Sequence, residues 1–454
     1  MAFSFKRGLA ALLPVVLALL LAPAAFGQST EERVRELERQ VEQLKAEIAV
    51  MKDGGQESEA GRLAELERRL EVLAGEIENL KIGEAAAAAD ESERGFGPAA
   101  SKVYRTERGL SIGGYGEALY QNFDSKRDDN AASGKTDTFD LLRGVLYFGY
   151  KFNDRWLLNS EIEYEHAGSE VAVEFAYIDY LWRLEVNVRG GLLLVPMGFL
   201  NELHEPTVFL GARRPDVEQL IMPTTWRENG LGLFGDAGPF TYRTYVVNGL
   251  RGAGFTAAGL RGGRQKGNQA KAEDFAWVGR LDFTGVPGLL VGGSAYIGDS
   301  GQDLTTAGGR DIGVGTQILE AHLEWKWRGL ELRALGVQAE LDDVADLNQA
   351  LKLTGNQSVG ESLKGHYLQL GYDVLAGRGG EQAFIPYARW ETYNTQDEVP
   401  RGFAANPAND VETLTLGFAY QPIDQLVLKV DHQNIDNEAG TGTDQFNVLL
   451  GWIF

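Results

Sequence analysis

The last eleven residues, 444–454, put Phe446, Val448, Leu450, Trp452 and Phe454 on one face of an extended chain and Gln445, Asn447 and Gly451 on the other. Side chains alternate across a strand, so a strand with one apolar and one polar face lies between two media. A chain that ends on an aromatic residue in that register carries the signature of a transmembrane β-barrel, apolar toward lipid and polar toward the lumen. The competing reading is the edge strand of a soluble sheet, and the rest of the chain weighs against it.

At the other end, Lys6 and Arg7 precede an apolar run over 8–21, and small residues over 22–27 offer a cleavage site before Gln28. Residues 1–27 therefore read as a secretory signal peptide. After Gly27 no stretch approaches the roughly 20 apolar residues of a membrane helix. A mature chain that spans a membrane must then do so as a closed barrel. With no cysteine, disulfides, thiolate metal sites and cysteine nucleophiles are excluded. A mean hydropathy of −0.22 is what alternating faces produce. The net charge of −22 argues against a nucleic-acid partner, because phosphate backbones are bound by basic surfaces.

Residues 28–83 carry a heptad pattern. Val34, Leu37, Val41, Leu44, Ile48 and Met51 form one block, and Leu63, Leu66, Leu70, Leu73, Ile77 and Leu80 a second. One apolar seam on a helix needs a partner helix, and opposite charges such as Arg33 with Glu38 fit parallel strands in register. A periplasmic coiled coil that self-associates is expected. The alternative is an antiparallel hairpin folded at Gly54-Gly55. Residues 84–109, an alanine run followed by charged and Gly-Pro residues, read as a linker.

From residue 110 to 454, apolar and polar positions alternate in segments of about ten residues, the length of a tilted membrane strand. Sixteen such segments start near 110, 139, 156, 171, 185, 229, 240, 275, 289, 316, 330, 364, 382, 411, 425 and 444. Tight connections, such as Asn153-Asp154 and Arg328-Gly329, alternate with long ones, such as 200–228 and 251–274. Short periplasmic turns and long external loops are the rule for outer-membrane barrels. The expected fold is thus an all-β transmembrane protein, a 16-stranded antiparallel outer-membrane β-barrel preceded by an α-helical coiled coil.

The run Pro196-Met197-Gly198-Phe199, with Asn201-Glu202, His204-Glu205-Pro206, Arg213-Arg214 and Pro223-Thr224-Thr225-Trp226-Arg227-Glu228-Asn229-Gly230-Leu231-Gly232, resembles the phosphate-selective porin family (porins O and P). The resemblance implies a trimeric 16-stranded diffusion channel with a loop folded into the lumen after the strand ending near Phe199. Members with a phosphate site carry arginines climbing the pore wall and a lysine cluster near the mouth, and that pattern has no residue-by-residue match here.

Charged groups at a constriction select ions by field and size. The segment 200–228 offers Glu202, His204, Glu205, Arg213, Arg214, Arg227 and Glu228 for an eyelet with opposed acidic and basic walls; the alternative is a solvated loop with internal ion pairs. Strand parity turns Arg143, Lys151, Arg280, Lys326, Arg333, Arg389 and Lys429 toward the lumen, with Glu161, Glu163, Glu165, Asp282, Glu320, Glu324, Glu391 and Asp431 among them. The basic, glycine-rich stretch holding Arg251, Arg261, Arg264, Lys266 and Lys271 reads as a flexible exposed loop. Attraction of anions to the mouth and contact with lipopolysaccharide are the alternatives. The five histidines are scattered, with no metal motif, so neither an enzyme nor a cofactor is expected. The function expected is a porin in the outer membrane of a Gram-negative bacterium, passing small ions and solutes, anions such as phosphate included. Its expected partners are outer-membrane lipids, two further copies of itself in a homotrimer, and the barrel-insertion machinery that reads the C-terminal strand. The rival is a structural protein whose coiled coil tethers the membrane to peptidoglycan or a partner.

Overall fold

The computed structural model describes residues 30–54, 66, 68–70, 72–73 and 92–454. The expected signal peptide and most of the second heptad block lie outside them. The chain divides into two compact units, Met1–Glu84 and Ala85–Phe454. In the first, α1 (Thr30–Gly54) buries Leu37, Val41 and Ile48, three positions of the expected seam, and Leu66 is buried as well. Gln40, Gln43 and Leu44 of α1 line a cleft together with Arg68, Arg69, Val72 and Leu73.

The second unit is a closed antiparallel barrel of sixteen strands. These are β1 (Gly109–Phe123), β2 (Thr138–Lys151), β3 (Trp156–Glu165), β4 (Glu170–Arg183), β5 (Val186–Leu194), β6 (Arg227–Ala237), β7 (Phe240–Asn248) and β8 (Phe275–Val286). They continue as β9 (Leu289–Asp299), β10 (Gly315–Trp327), β11 (Leu330–Leu341), β12 (Ser362–Tyr372), β13 (Ala383–Glu398), β14 (Asp410–Ile423), β15 (Leu426–Asn437) and β16 (Gln445–Ile453). Every expected start lies within two residues of the observed one. Alternating residues carry the signal because each faces a different solvent. In β10, Leu319, Trp325 and Trp327 are exposed on the outer face while Ile318, Glu320 and His322 are buried inside.

Outward aromatic residues gather at both ends of the wall. Trp156, Trp182, Phe240 and Trp327 lie near the tight turns, and Phe139, Phe275 and Trp277 near the long loops. Apolar residues such as Leu281, Val291 and Leu368 fill the outer surface between them. This is the lipid-facing band and aromatic girdle of a membrane barrel.

Closure rests on β1 and β16, which pair from Tyr115 with Ile453 to Phe123 with Gln445. Beyond the ladder the Phe454 backbone exchanges two hydrogen bonds with Gly114, at 2.9 and 3.1 Å. On the outer face the Trp452 and Phe454 rings lie over Gly116 and Gly114, where any Cβ would collide with them.

The reading of 84–109 as a linker is corrected over its described part. Residues 92–106 enter the barrel, and Phe96, Ala99, Ala100, Ser101 and Val103 are each buried there. The short helix α2 (Lys102–Arg105) packs against β1, β2 and β3. A segment without periodicity has joined the core because it lies between two walls and needs no apolar face of its own.

Removing residues 31–82 is expected to leave the barrel folded, because every strand pairing falls between 109 and 453. Loss of the β-sheet circular dichroism of the detergent-refolded deletion would contradict this. Truncation after Gly451 removes the Trp452 ring and the last backbone pairs of the seam. It is expected to lower unfolding stability by roughly 3–5 kcal/mol, the cost of losing a large aromatic side chain, read as a fall in the denaturant midpoint.

Candidate pore constriction

The connection between β5 and β6, residues 195–226 and here called L3, turns into the lumen and crosses it. Met197, Phe199, Leu200, Phe209, Val217, Ile221 and Met222 are buried in one core with the lumen-facing Tyr115, Tyr147, Tyr296 and Tyr367. A loop out of reach of bulk water must have its backbone groups satisfied by protein. Within L3, the helix α3 (Asp216–Leu220) supplies Glu218, whose carboxylate accepts from the Phe199 and Leu200 N–H groups at 2.9 and 2.8 Å and from the Tyr367 hydroxyl at 2.7 Å. Asn201 donates to the Val195 and Trp226 carbonyls and accepts from the Trp226 N–H, tying the two ends of the loop together.

The wall does the rest. Arg280 donates to the Gly198 carbonyl, Arg333 to that of Val208 and Arg389 to that of Arg213. The Ala212 N–H donates to Asp431 and the Val217 N–H to Glu391, both at 2.6 Å. Three of the arginines that strand parity turns inward are thus fasteners for L3. Each is held in turn by an acid of the wall, Arg280 by Asp282, Arg333 by Glu324 and Arg389 by Glu391. Of the other expected lining residues, Arg143 pairs with Glu117 at 2.9 Å, Lys429 is fully buried with its ammonium 3.5 Å above the Phe209 ring, and Lys326 is half-exposed at the tight-turn end of β10.

The seven expected constriction residues divide into local groups. His204 faces Glu161 at 3.2 Å; burial opposes protonation of its ring, but the carboxylate outweighs it and raises its pKa. Glu205 accepts from the Ala99 and Ala100 N–H groups at 3.2 and 3.0 Å. Burial pushes its carboxyl up to about 7, against the pull of those two donors. Glu202 pairs with Arg243 at 3.2 Å, and Arg227 with Glu174 at 2.5 Å. Glu228 accepts from Asn248 and from the Gln265 N–H. Arg213 and Arg214 alone among the seven keep substantial water contact, Arg213 reaching Gln445 at 3.3 Å and Arg214 the His204 carbonyl at 3.2 Å.

The basic stretch between β7 and β8 departs from expectation in part: Arg251, Lys266 and Lys271 are exposed, but Arg261 and Arg264 are not. Residues 249–274, here called L4, fold across the barrel mouth instead of projecting from it. Leu250, Phe255 and Leu260 join the same core as L3, the Leu260 N–H donates to the Leu220 carbonyl, and Thr395 and Asn409 both donate to the Ala257 carbonyl. Arg264 donates to the Thr225 carbonyl at 2.6 Å, and one Arg261 nitrogen is buried without a partner. Burial pushes the Arg261 and Arg264 guanidinium groups down to about 10 and about 9, with neighbouring Arg214, Arg143 and Arg227 adding to the effect. Both stay charged at neutral pH. The cluster is short of negative charge although Glu165 and Glu174 face it.

Two elements of this site are missing from the sequence reading. The wall pair Asp179 and Arg189 anchors Tyr104, and Glu117 and Glu174 hold Arg143 and Arg227. Inward parity was the signal available for Glu117, Asp179 and Arg189; Glu174 sits at a bulge of β4, where alternation breaks.

No protein-family model matches the chain. A protein of Aquifex aeolicus (strain VF5), known only as uncharacterized, is 36% identical over 376 residues, 79% of this chain and 83% of that one. Among solved structures, Salmonella typhi OmpF in complex with daunomycin matches with a TM-score of 0.50 at 10% identity, over 77% of this chain and 98% of that one. The outer membrane channel DcaP of Acinetobacter baumannii gives a TM-score of 0.44 at 12% identity, over 81% and 100%. The barrel has the architecture of the bacterial outer-membrane porins, and the chain belongs to one family with the Aquifex aeolicus protein.

Proposed function

We propose that the protein is an outer-membrane porin, a water-filled diffusion channel for small ions and solutes that L3 and L4 narrow and bias toward anions such as phosphate. The observation that carries the reading is L3 crossing a closed sixteen-strand barrel, with Arg213 and Arg214 left in contact with water. Ions crossing there lose part of their hydration, and in a partly water-excluded space a unit charge acts more strongly than in bulk solvent. Arg214 and Arg264 lie near enough to Arg261 to repel its charge, and Glu165 and Glu174 near enough to offset part of it. The net charge of the wall is mixed, so the bias comes from position and not from an excess of cations. The resemblance to phosphate-selective porins supports the anion preference and a homotrimer.

Bilayer reversal potentials test the site. Arg213→Ala with Arg214→Ala, and separately Arg261→Ala with Arg264→Ala, are each expected to lower the anion-to-cation permeability ratio at least about twofold. The second pair is expected to keep its effect at 1 M salt, where the Debye length is only about 3 Å, because L4 is folded into the site and not waving above it. Unchanged ratios in both double variants would remove the constriction from L3 and L4. For the assembly, sedimentation of detergent-purified protein is expected to give three barrels per particle, and a single-barrel particle would exclude the trimer.

A further inference from the structure

The segment ahead of β1 is built into the lumen in a way that a passive connection does not need. Glu93 and Phe96 bridge across a tight turn at Arg94-Gly95, and both of these have positive φ. Arg94 reaches Asp236 at 2.7 Å. The Phe96 ring sits 5.2 Å from that of Phe175 and 5.5 Å from that of Tyr177, with the Arg189 guanidinium 4.9 Å above it. Further along, the Glu205 carboxylate of L3 caps Ala99 and Ala100, and Asn159 donates to the Ala100 carbonyl at 2.9 Å. The Tyr104 hydroxyl then joins Asp179 at 2.8 Å and Arg189 at 2.7 Å.

From these contacts we propose that residues 93–106 form a lumenal strap that restricts the channel from the tight-turn end, and that withdrawing it enlarges the pore. The proposal rests on the channel reading and adds a regulator to it.

Three features argue for a detachable strap over a fixed part of the wall. It adds no strand to the sheet, since β1 pairs only with β2 and β16. The wall pair that grips it is already made: Arg189 with Asp179 at 2.8 Å stands without it. Its withdrawal therefore strands few buried charges. Finally, it is hydrogen-bonded to L3 through the two N–H groups on Glu205, and a Cβ on Gly97 would lie 2.5 Å from that carboxylate carbon. The contact is close enough that a single methyl group disturbs it. The strap touches the constriction loop directly, so a pull on the residues before Glu93 acts on L3 through Glu205.

Single-channel recording of the full chain tests this, with residues 93–105 replaced by a glycine-serine stretch of equal length, and with Gly97→Val as a milder variant that keeps the segment. The replacement is expected to raise conductance at least about twofold by widening the pore, and Gly97→Val to raise it less or to produce flickering between two levels. Since the chain has no cysteine, Ala100→Cys reports the position of the strap: a small thiol reagent is expected to label it slowly in the parent and faster with Gly97→Val. Parent conductance in the folded replacement variant, with closure checked by resistance to heating in detergent, overturns the proposal. If the replacement does not fold, faster labelling in Gly97→Val at unchanged conductance overturns it, and so does unchanged labelling at unchanged conductance, since the strap would then not yield to the clash. A folded parent and folded replacement that both fail to conduct would instead overturn the channel reading. A silent parent with a conducting replacement supports both.

Discussion

An unpaired backbone N–H or C=O out of reach of water costs several kcal/mol, and the architecture of this protein follows from meeting that constraint twice. The first time it is met by the sheet. A barrel has no edge, so the ladder must run from β1 through sixteen strands back to β1, and the last pairs are made by Ile453 and Phe454. The second time it is met inside, where L3 leaves the sheet and crosses the lumen. Its carbonyls and N–H groups find no strand beside them, and arginines and carboxylates projecting from the wall take the place of one.

That second solution changes what the lumenal charges mean. An arginine on a pore wall invites the reading that it attracts anions, but Arg280, Arg333 and Arg389 spend their donors on L3 carbonyls and on neighbouring acids. Removing one partner of such a buried pair typically costs about 3–5 kcal/mol, because the other charge is left stranded. Those residues are structural first. In the channel reading proposed above, the groups that act on a solute are those that keep contact with water, Arg213 and Arg214 on L3 and Arg261 on L4. On that reading selectivity belongs to the inserted loops, and the wall holds them in place.

How far the sequence revealed this depends on which physical signal each part carries. Strands such as β10 and β16 were legible because lipid and lumen impose opposite chemistry on alternate residues, and their lengths followed from the thickness they cross. The inward course of L3 left no trace in periodicity and came from a family resemblance. L4 was misread in part: Arg251, Lys266 and Lys271 are exposed as glycine-rich, basic sequence suggests, but Arg261 and Arg264 are drawn in. Here Leu250, Phe255 and Leu260, spaced without pattern, anchor it in the core. The same holds for residues 92–106: with Phe96 as the one large apolar residue before α2, the segment has no face to recognise, and its burial depends on walls contributed from far along the chain.

One pattern would have located the inserted segments had parity been applied to glycine. At Gly113, Gly149, Gly365, Gly371 and Gly451, all on the inward face of their strands, an added Cβ would strike Ala99, Val103, Ile221, Leu210 and Pro206 respectively. The first two contacts belong to the strap and the other three to L3. An inward glycine in a barrel strand gives up side-chain packing and weakens the strand, so it persists where another backbone or side chain comes close. The outward Gly114 and Gly116 obey the same rule, with the Phe454 and Trp452 rings as their occupants. Read by face, the glycines of β1 mark both the seam that closes the barrel and the footprint of the segment lying inside it.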